Sequence, residues 1–239
     1  MPPEVSFRSD VTVELIKHAA SDADVIWAAR VSTKGEQSHE DIDADASASA
    51  GLINYLMRDR HGSPFEHSNF TFFVQGPIFM WREHFRHRIA SYNEESGRYK
   101  VLEPVFYVPD EDRKLVQVGK AGAYEFIDGT PDQFACVREQ TEAACRAAYG
   151  AYQTMLEAGV AREVARIVLP LSIYSSAYVT MNARALMNFL SLRRKAEGSH
   201  FPSFPQREIE MVAEKYEEIF ARLMPLTHAA FVAGGRVAP

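Results

Sequence analysis

The chain has 239 residues, 46% of them hydrophobic and 24% charged, so it is long enough to bury the core of a globular protein. Its net charge of −6 disfavours general nucleic-acid binding, which requires a basic surface. No apolar run approaches the roughly 18 residues of a membrane span, and the first residues lack the basic-then-apolar pattern of a signal peptide. We therefore expect a cytoplasmic protein that binds neither membrane nor nucleic acid.

The N-terminal part of the chain predicts strands followed by helices. Residues 4–16 alternate in polarity and predict two short strands. Acidic residues, which favour a helix N-terminus, open a predicted helix at 22–30. The alternating Asp, Ala and Ser of residues 35–50 predict a loop, and residues 51–58 predict a short helix.

A strand and an arginine-bearing helix follow. The strand is predicted over residues 68–75, because apolar and more polar positions alternate, the apolar ones being Phe70, Phe72 and Val74. Pro77 suits the first position of a helix, which we predict over residues 77–88. On that helix Arg82 and Arg86 would share one face.

The second half of the chain is mainly helical. Its predicted elements are a strand over 104–109, a variable connection over 110–133, and helices over 133–158, 161–169, 207–223 and after a capping Asn182. The apolar run 174–181 is left unassigned between helix and strand. The pattern predicts an α+β fold in which residues 1–239 form a single domain, with a small, mostly antiparallel sheet packed against several helices.

The two cysteines, Cys136 and Cys145, fall on the predicted helix 133–158. Nine positions of separation place them on opposite faces and roughly 13 Å apart along the axis, too far for a disulfide. Neither has a neighbouring His or a basic residue in a loop that would mark it as a nucleophile, so both are interpreted as small buried residues.

Residues 86–99 form a dense polar run, R-H-R-I-A-S-Y-N-E-E-S-G-R-Y. Four arginines fall within seventeen positions of this region, namely Arg82, Arg86, Arg88 and Arg98. Such a cluster in an acidic protein indicates a discrete anionic ligand, a phosphate or a carboxylate.

Other kinds of site fit the sequence less well. His84 and His87 share a helical spacing, but there is no zinc motif and the adjacent arginines would repel a cation, so no metal site is predicted. Ser91 and Ser96 lie outside any G-x-S-x-G elbow, which argues against a serine hydrolase. The chain also lacks a P-loop and a G-x-G-x-x-G run.

The polar run carries a resemblance to a known family. Arg86-His87-Arg88 followed seven residues later by Ser96 is similar to the R-H-R-x7-S signature of the flavin-dependent thymidylate synthases, and further segments resemble family segments in the same order. Those segments are residues 63–67, 162–170 and 182–190. The resemblance implies a ThyX-like fold and the conversion of dUMP to dTMP with methylenetetrahydrofolate, FAD and NADPH. It also implies a homotetramer whose active sites lie between subunits.

The resemblance also implies ligand-binding residues. Those implied for dUMP are Glu83, Arg86, Glu94, Glu95, Ser96, Gly97, Arg98, Arg166 and Arg193. Those implied for FAD are His67, Asn69, Arg86, His87, Arg88, Glu94, Asn182, Arg184 and Asn188. Arg193 is the implied catalytic residue, stabilising uracil ionised at N3 by charge alone, because a guanidinium cannot act as a base at neutral pH.

Several points remain open at the level of sequence. Either Arg193 or Arg194 could face the uracil, and the Leu-x-Leu-Arg spacing favours Arg193. Glu83 stands where the family often carries Gln. Ser96 has no adjacent base and is interpreted as a ligand contact rather than a nucleophile. The alternative function is a catalytically inactive relative that binds nucleotide or RNA.

Overall fold

The computed structural model describes residues 4–35, 46–120 and 123–239, and the chain divides into two compact units. The first unit comprises the described residues of 1–11, 75–83 and 94–177. The second comprises those of 12–74, 84–93 and 178–239. Within the described ranges, no helix is long and apolar enough to cross a membrane.

The secondary structure alternates between short strands and helices. The strands are β1 (Ser6–Arg8), β2 (Thr12–Ala19), β3 (Asn69–Pro77), β4 (Ser91–Glu94), β5 (Val105–Tyr107), β6 (Val116–Lys120), β7 (Ala123–Ile127) and β8 (Tyr174–Asn182). The α-helices are α1 (Asp22–Lys34), α2 (Ala46–Arg58), α3 (Ile78–His84), α4 (Pro131–Glu157), α5 (Arg162–Ala165), α6 (Ala183–Arg193), α7 (Arg207–Leu223) and α8 (Pro225–Ala233). Short 3₁₀ helices cover Ser63–Glu66 and Arg166–Val168.

The strands form small sheets, which confirms the predicted α+β class. One sheet has four strands in the order β2-β3-β8-β4. Strands β1 and β5 pair in parallel, with Phe7 opposite Phe106. Strands β6 and β7 pair in antiparallel orientation, with Val116 opposite Ile127.

The helix predicted over residues 77–88 is shorter than expected. Pro77 is the last residue of β3, and α3 ends at His84. Beyond that point the N–H of His87 bonds the carbonyl of His84, and the Tyr92 hydroxyl donates to the carbonyls of both histidines. These contacts satisfy carbonyls at the helix end that would otherwise need further helical N–H groups. The prediction that Arg82 and Arg86 share a helical face is therefore wrong.

Other boundaries also differ from the sequence prediction. The connection predicted over 110–133 contains the paired strands β6 and β7. Gly119, which favoured the prediction of a loop, lies within β6 with a φ of 91°. Helix α2 begins at Ala46, so the loop predicted over 35–50 is wrong from there on, and residues 36–45 lie outside the described residues. The helix predicted over 161–169 is α-helical only within Arg162–Ala165, and the unassigned run 174–181 is a strand.

Each unit has an aromatic core. In the first, one cluster of buried residues consists of Leu102, Phe106, Cys145, Tyr149, Tyr152, Ala165 and Ile173. In the second, Phe72 of β3 lies 4.3 Å from the ring of Tyr216 on α7, and Phe70 packs edge-on against Phe220. The strand predicted from this alternation is confirmed, and its apolar positions Phe70, Phe72 and Val74 are buried. Both cysteines are free thiols, and Cys145 is buried as predicted. Cys136 is exposed, so the prediction that it is buried is wrong.

Candidate active site

Residues 94–100, which include the end of the polar run, form a loop in the first unit, which we call the acidic loop. Strand β8 holds the start of this loop in place. The backbone N–H of Glu95 donates to the carbonyl of Ser176 at 2.9 Å, and the N–H of Ser176 donates back to Oε1 of Glu95 at 2.9 Å. The Ser175 hydroxyl donates to Oε1 of Glu94 at 2.6 Å. Both carboxylates therefore fix the start of this loop to the neighbouring strand.

The acidic loop then makes a tight turn at Ser96. The carbonyl of Ser96 accepts the N–H groups of Tyr99 and Lys100, at 3.0 and 3.2 Å. Its hydroxyl oxygen accepts the N–H of Arg98 at 3.3 Å. Among the described residues, no histidine or carboxylate lies within hydrogen-bond distance of that hydroxyl, which fits a ligand contact better than a nucleophile.

Gly97 and two arginines complete the turn. A Cβ at Gly97 would lie 2.9 Å from Cδ1 of the buried Leu102 and 3.3 Å from Cδ of Arg166, so the close packing here depends on glycine. Arg98 is paired through Nε with Glu163 at 2.9 Å, and both side chains are about half exposed. Such an exposed pair is weak, so an anionic ligand can replace Glu163 as the partner of Arg98.

In the second unit, the histidine that ends α3 is completely buried between two tyrosines. Nδ1 of His84 lies 3.2 Å from the hydroxyl of Tyr92, and Nε2 lies 3.0 Å from the hydroxyl of Tyr216. Because the Tyr92 proton is donated to backbone carbonyls, its oxygen accepts from Nδ1–H, and Tyr216 donates to Nε2. Burial, followed by the nearby charges of His87 and Arg193, lowers the pKa of His84 to about 3. His84 is therefore a neutral structural link.

This burial predicts acid sensitivity. In the unfolded chain a histidine titrates near pH 6.5, whereas folded His84 stays neutral down to about pH 3, so the unfolded state binds more protons within that window. We expect the free energy of unfolding to fall as the pH drops from about 6.5 through about 3, by up to about 1.4 kcal/mol per pH unit from this residue. His84→Gln should reduce that slope, measured by urea unfolding at about pH 7 and about pH 5.

The matched control is His18→Gln, because His18 lies exposed on β2. It should leave the pH slope as in the wild type. An unchanged slope in His84→Gln would contradict the assignment of His84 as the buried neutral group.

Shortly after α3 ends, His87 contacts an arginine from α6. Nε of Arg193 donates to Nε2 of His87 at 3.0 Å. A guanidinium has only donors, so Nε2 of His87 is an acceptor and its proton is on Nδ1. Burial and the Arg193 charge lower the pKa of His87 to about 4, and its ring packs 4.6 Å from that of Phe189. His87 thus orients Arg193.

The next arginine has a different environment. Arg194 pairs with Glu214 at 2.6 Å and with Glu217 at 3.3 Å, both on α7. Although burial raises the pKa of Glu217, hydrogen bonds from His228 and Arg236 bring it down to about 2. Arg194 therefore belongs to an ion-pair network, and the contact with His87 favours Arg193 as the residue of the site.

A further group of polar residues surrounds Arg184 in the same unit. Nε of Arg184 donates to the backbone oxygen of Pro239 and Nη1 to Oε1 of Glu66, both at 2.6 Å. The amide of Asn188 donates to the carbonyl of Arg184 at 3.1 Å. Gly62 leaves space for this guanidinium, because a Cβ there would lie 2.5 Å from Nε of Arg184.

Asn182 caps α6, as predicted. Its Oδ1 accepts the N–H of Ala185 at 2.8 Å, and its backbone is extended. Upstream, the amide of Asn69 donates to the carbonyl of His67 at 3.2 Å, and the His67 ring lies edge-on to Trp27. Each of these polar side chains is held at the surface or at a helix end, where it can reach a ligand.

The site residues predicted from sequence divide between the two units. The first unit holds Glu83, Glu94, Glu95, Ser96, Gly97, Arg98 and Arg166. The second holds His67, Asn69, Arg86, His87, Arg88, Asn182, Arg184, Asn188 and Arg193. Arg86 and Arg88 are exposed beyond the end of α3, and Glu83 is half-buried near it. Among the described residues, no group of three His, Cys, Asp or Glu could hold a metal.

The residues that support these groups were missed from the sequence. They are Tyr92, Tyr216, Glu163, Ser175 and Ser176. Tyr92 lies within the polar run and Glu163 within the 162–170 segment, so position in the motif was a usable signal for both. Tyr216 had no such signal, because it lies 132 positions from the histidine that it binds.

Known proteins resemble this chain over nearly its whole length. A family model described as Thymidylate synthase complementing protein matches residues 14–226. The chain is 63% identical to the flavin-dependent thymidylate synthase of Streptomyces coelicolor, over 99% of this chain and 97% of that protein. It is 64% identical to the enzyme of the same name from Streptomyces avermitilis, covering 98% and 96%.

A solved structure has the same fold as this chain. The UMP/dUMP methylase PolB from Streptomyces cacaoi, bound with 5-Br UMP, superposes with a TM-score of 0.91 at 51% identity, over 99% of this chain and 100% of PolB. The family model and these relatives identify the chain as a flavin-dependent enzyme of the thymidylate synthase type. The chain belongs to the flavin-dependent thymidylate synthase family.

Proposed function

We propose that this protein methylates dUMP to dTMP, taking its one-carbon unit from methylenetetrahydrofolate and using FAD reduced by NADPH, with residues 1–239 acting as one domain. The observation that carries the proposal is the hydrogen bond from Arg193 to His87, the central histidine of the R-H-R-x7-S motif. This hydrogen bond holds the positive charge of Arg193 in a fixed position, and such a charge stabilises an anion that forms on the substrate.

The dUMP phosphate would be bound by Arg98 and Arg166 together with N–H groups of the acidic loop, since guanidinium forks and turn amides suit a phosphate dianion. The Ser96 hydroxyl would be a further contact. Arg193 would face the uracil and stabilise its N3 anion, which raises electron density at C5. Glu83 would contact a uracil carbonyl only when protonated and would otherwise be turned away from it, because a carboxylate cannot donate to a carbonyl.

Neither cysteine suits the covalent activation of uracil at C6. Burial raises the pKa of Cys145, whose Sγ lies 3.3 Å from the Ser172 hydroxyl, and Cys136 is on an exposed helix face. The proposal therefore assigns methylene relay and hydride supply to the flavin, which carries that chemistry when bound. The protein's own groups bind and orient the reactants.

The donor set suits FAD. Its pyrophosphate needs guanidinium groups, and its ring edges need amides and imidazoles. The chain offers these groups before and on β3, after α3 and on α6; they are His67, Asn69, Arg86, His87, Arg88, Asn182, Arg184 and Asn188. Glu94 would contribute from the acidic loop.

A homotetramer with active sites between subunits is part of the proposal. Apolar side chains that follow Arg166 in the sequence are exposed in the single chain, Ile167 at 74% and Leu171 at 55%. Surface of this kind beside a candidate site suits burial by a second copy of the chain. Size-exclusion chromatography with light scattering tests it, and a monomer that retains turnover would contradict it.

The defining experiment uses the purified protein. We expect a flavin absorbance band and NADPH oxidation that requires dUMP and methylenetetrahydrofolate, with dTMP as the product. Protein that takes up no FAD and forms no dTMP would refute the proposal. That result would favour the alternative, a catalytically inactive relative that binds nucleotide or RNA. The named relatives do not favour this alternative.

UMP is a second candidate substrate, because PolB, at 51% identity, is described as acting on UMP as well as dUMP. Competition between equal concentrations of the two nucleotides measures the preference. We expect dUMP to be preferred, in keeping with the 63% and 64% identical thymidylate synthases.

Gly62→Ala provides a test of the flavin residues. The new Cβ would meet Arg184 Nε at 2.5 Å and the backbone oxygen of Pro239 at 2.9 Å, so Arg184 must move. We expect FAD affinity to fall by about tenfold or more, as one charge-assisted contact is lost, measured by flavin fluorescence. Gly51→Ala on α2 is the control, because its Cβ meets nothing within 4 Å. Unchanged FAD affinity in Gly62→Ala would remove Arg184 from the flavin site.

A further inference from the structure

A concave surface separate from the candidate site residues described above lies in the second unit, between the C-terminal end of α2 and helix α8. It has a volume of about 600 Å³, and we call it the Arg60 cleft. Its polar and aromatic lining residues are Asn54, Tyr55, Arg58, Arg60, His200 and Phe201. Its described lining includes two arginines and no carboxylate, although the chain as a whole has a net charge of −6. This concentration of basic groups indicates an anionic ligand.

Arg60 occupies a backbone position that usually takes glycine. Its φ is 61°, and the N–H groups of Arg60 and His61 bond the carbonyls of Met57 and Leu56, as in a Schellman helix end. A side chain in this left-handed conformation is strained by roughly 1 kcal/mol. The chain therefore carries a guanidinium where glycine would be more stable, which points to a use for the guanidinium.

The cleft also exposes aromatic surface. Tyr55 is 44% exposed and Phe201 is 65% exposed. The Arg58 guanidinium lies over the Tyr55 ring, 5.5 Å from its centre, and is paired with Asp59. That pair is on the surface and therefore weak, so Arg58 can exchange Asp59 for a ligand carboxylate. Exposed rings beside cations suit a ligand that combines an aromatic ring with carboxylates.

One side of the cleft adjoins the Arg184 group. Nη2 of Arg60 donates to the carbonyl of Ala238 at 3.0 Å, and the backbone oxygen of the next residue, Pro239, accepts from Arg184. A ligand that reacts beside a flavin held by Arg184 could therefore extend into the cleft.

We propose that the Arg60 cleft binds the p-aminobenzoyl-glutamate end of the folate co-substrate, a choice that rests on the proposed function. The benzoyl ring would pack against Tyr55 and Phe201. The glutamate carboxylates would pair with Arg58 and Arg60, and longer glutamate chains would gain from both guanidinium groups.

The test is Arg60→Gly, which removes the guanidinium while keeping a residue that adopts the left-handed backbone freely. We expect the KM for methylenetetrahydrofolate triglutamate to rise by about tenfold, the loss of one charge-assisted contact, while the KM for dUMP stays unchanged. Titration calorimetry of the holoenzyme with p-aminobenzoyl-triglutamate should show binding by the wild type and weakened binding by the variant. Arg138→Ala on the exposed face of α4 is the matched control, with no change expected.

The outcomes separate this inference from the proposed function. If the wild type forms dTMP but Arg60→Gly has the same KM for the triglutamate, the inference is overturned. Loss of FAD rather than of folate affinity in the variant would also overturn it, by assigning the cleft to the flavin. If the wild type forms no dTMP, the proposed function fails, and the calorimetric titration still decides whether the cleft binds the fragment.

Discussion

Arg193→Ala is expected to reduce dTMP formation by roughly 100-fold or more while leaving FAD binding intact. Removing one fixed charge that stabilises a developing anion typically costs an enzyme this much. The side chain is oriented by its 3.0 Å hydrogen bond to Nε2 of His87, so its charge is in place before the substrate reacts. Turnover should be measured by dTMP production, and FAD binding by flavin fluorescence.

Arg194→Ala is the neighbouring control. Arg194 pairs with Glu214 and Glu217 on α7, so its loss should lower the unfolding temperature by a few degrees and leave most of the turnover. Loss of turnover in Arg194→Ala with normal turnover in Arg193→Ala would reverse the assignment of the two residues.

Gly97→Val is expected to weaken productive dUMP binding strongly. The Cβ alone would come within 2.9 Å of Leu102 Cδ1, and Leu102 cannot retreat easily because it belongs to the buried cluster around Tyr149 and Tyr152. The added methyl groups must therefore push the acidic loop or Arg166 away. We expect the KM for dUMP to rise by roughly 100-fold, about what two displaced phosphate contacts would lose, measured by initial rates against dUMP concentration.

Gly150→Ala is the control in the same unit. Gly150 lies on α4, and a Cβ at this position would meet no atom within 4 Å, so alanine should be accommodated and should favour the helix slightly. A dUMP KM in Gly97→Val equal to that of Gly150→Ala would contradict the role of the acidic loop in substrate binding.

Much of the local structure was predictable because it depends on neighbouring residues. Alternation along β3 predicted a strand with two different faces, and its apolar positions Phe70, Phe72 and Val74 are all fully buried. Asn182 was identified as a cap from its place before an amphipathic segment, and it caps α6. The end of α3 was not predictable in this way, since it depends on a hydroxyl from Tyr92 that approaches from the next strand.

The polar run 86–99 was recognisable as a functional motif from sequence alone, because its order of residue types is specific. Which residues of the run are structural and which belong to the candidate site was decided by the tertiary structure. The fold joins His87 to Arg193, 106 positions away, and seals His84 against Tyr216 on α7. It also fixes Glu94 and Glu95 to β8, 81 positions away.

The sequence by itself determined the family, the motif and those elements whose periodicity and caps lie within a few residues. Only the tertiary structure decided which arginine meets the motif histidine, which carboxylates anchor the acidic loop and which glycines leave space for a guanidinium. The physical reason is that hydrogen bonds and close packing depend on distances in space. Those distances are set by how strands and helices far apart in the chain pack together, and local residue patterns do not record them.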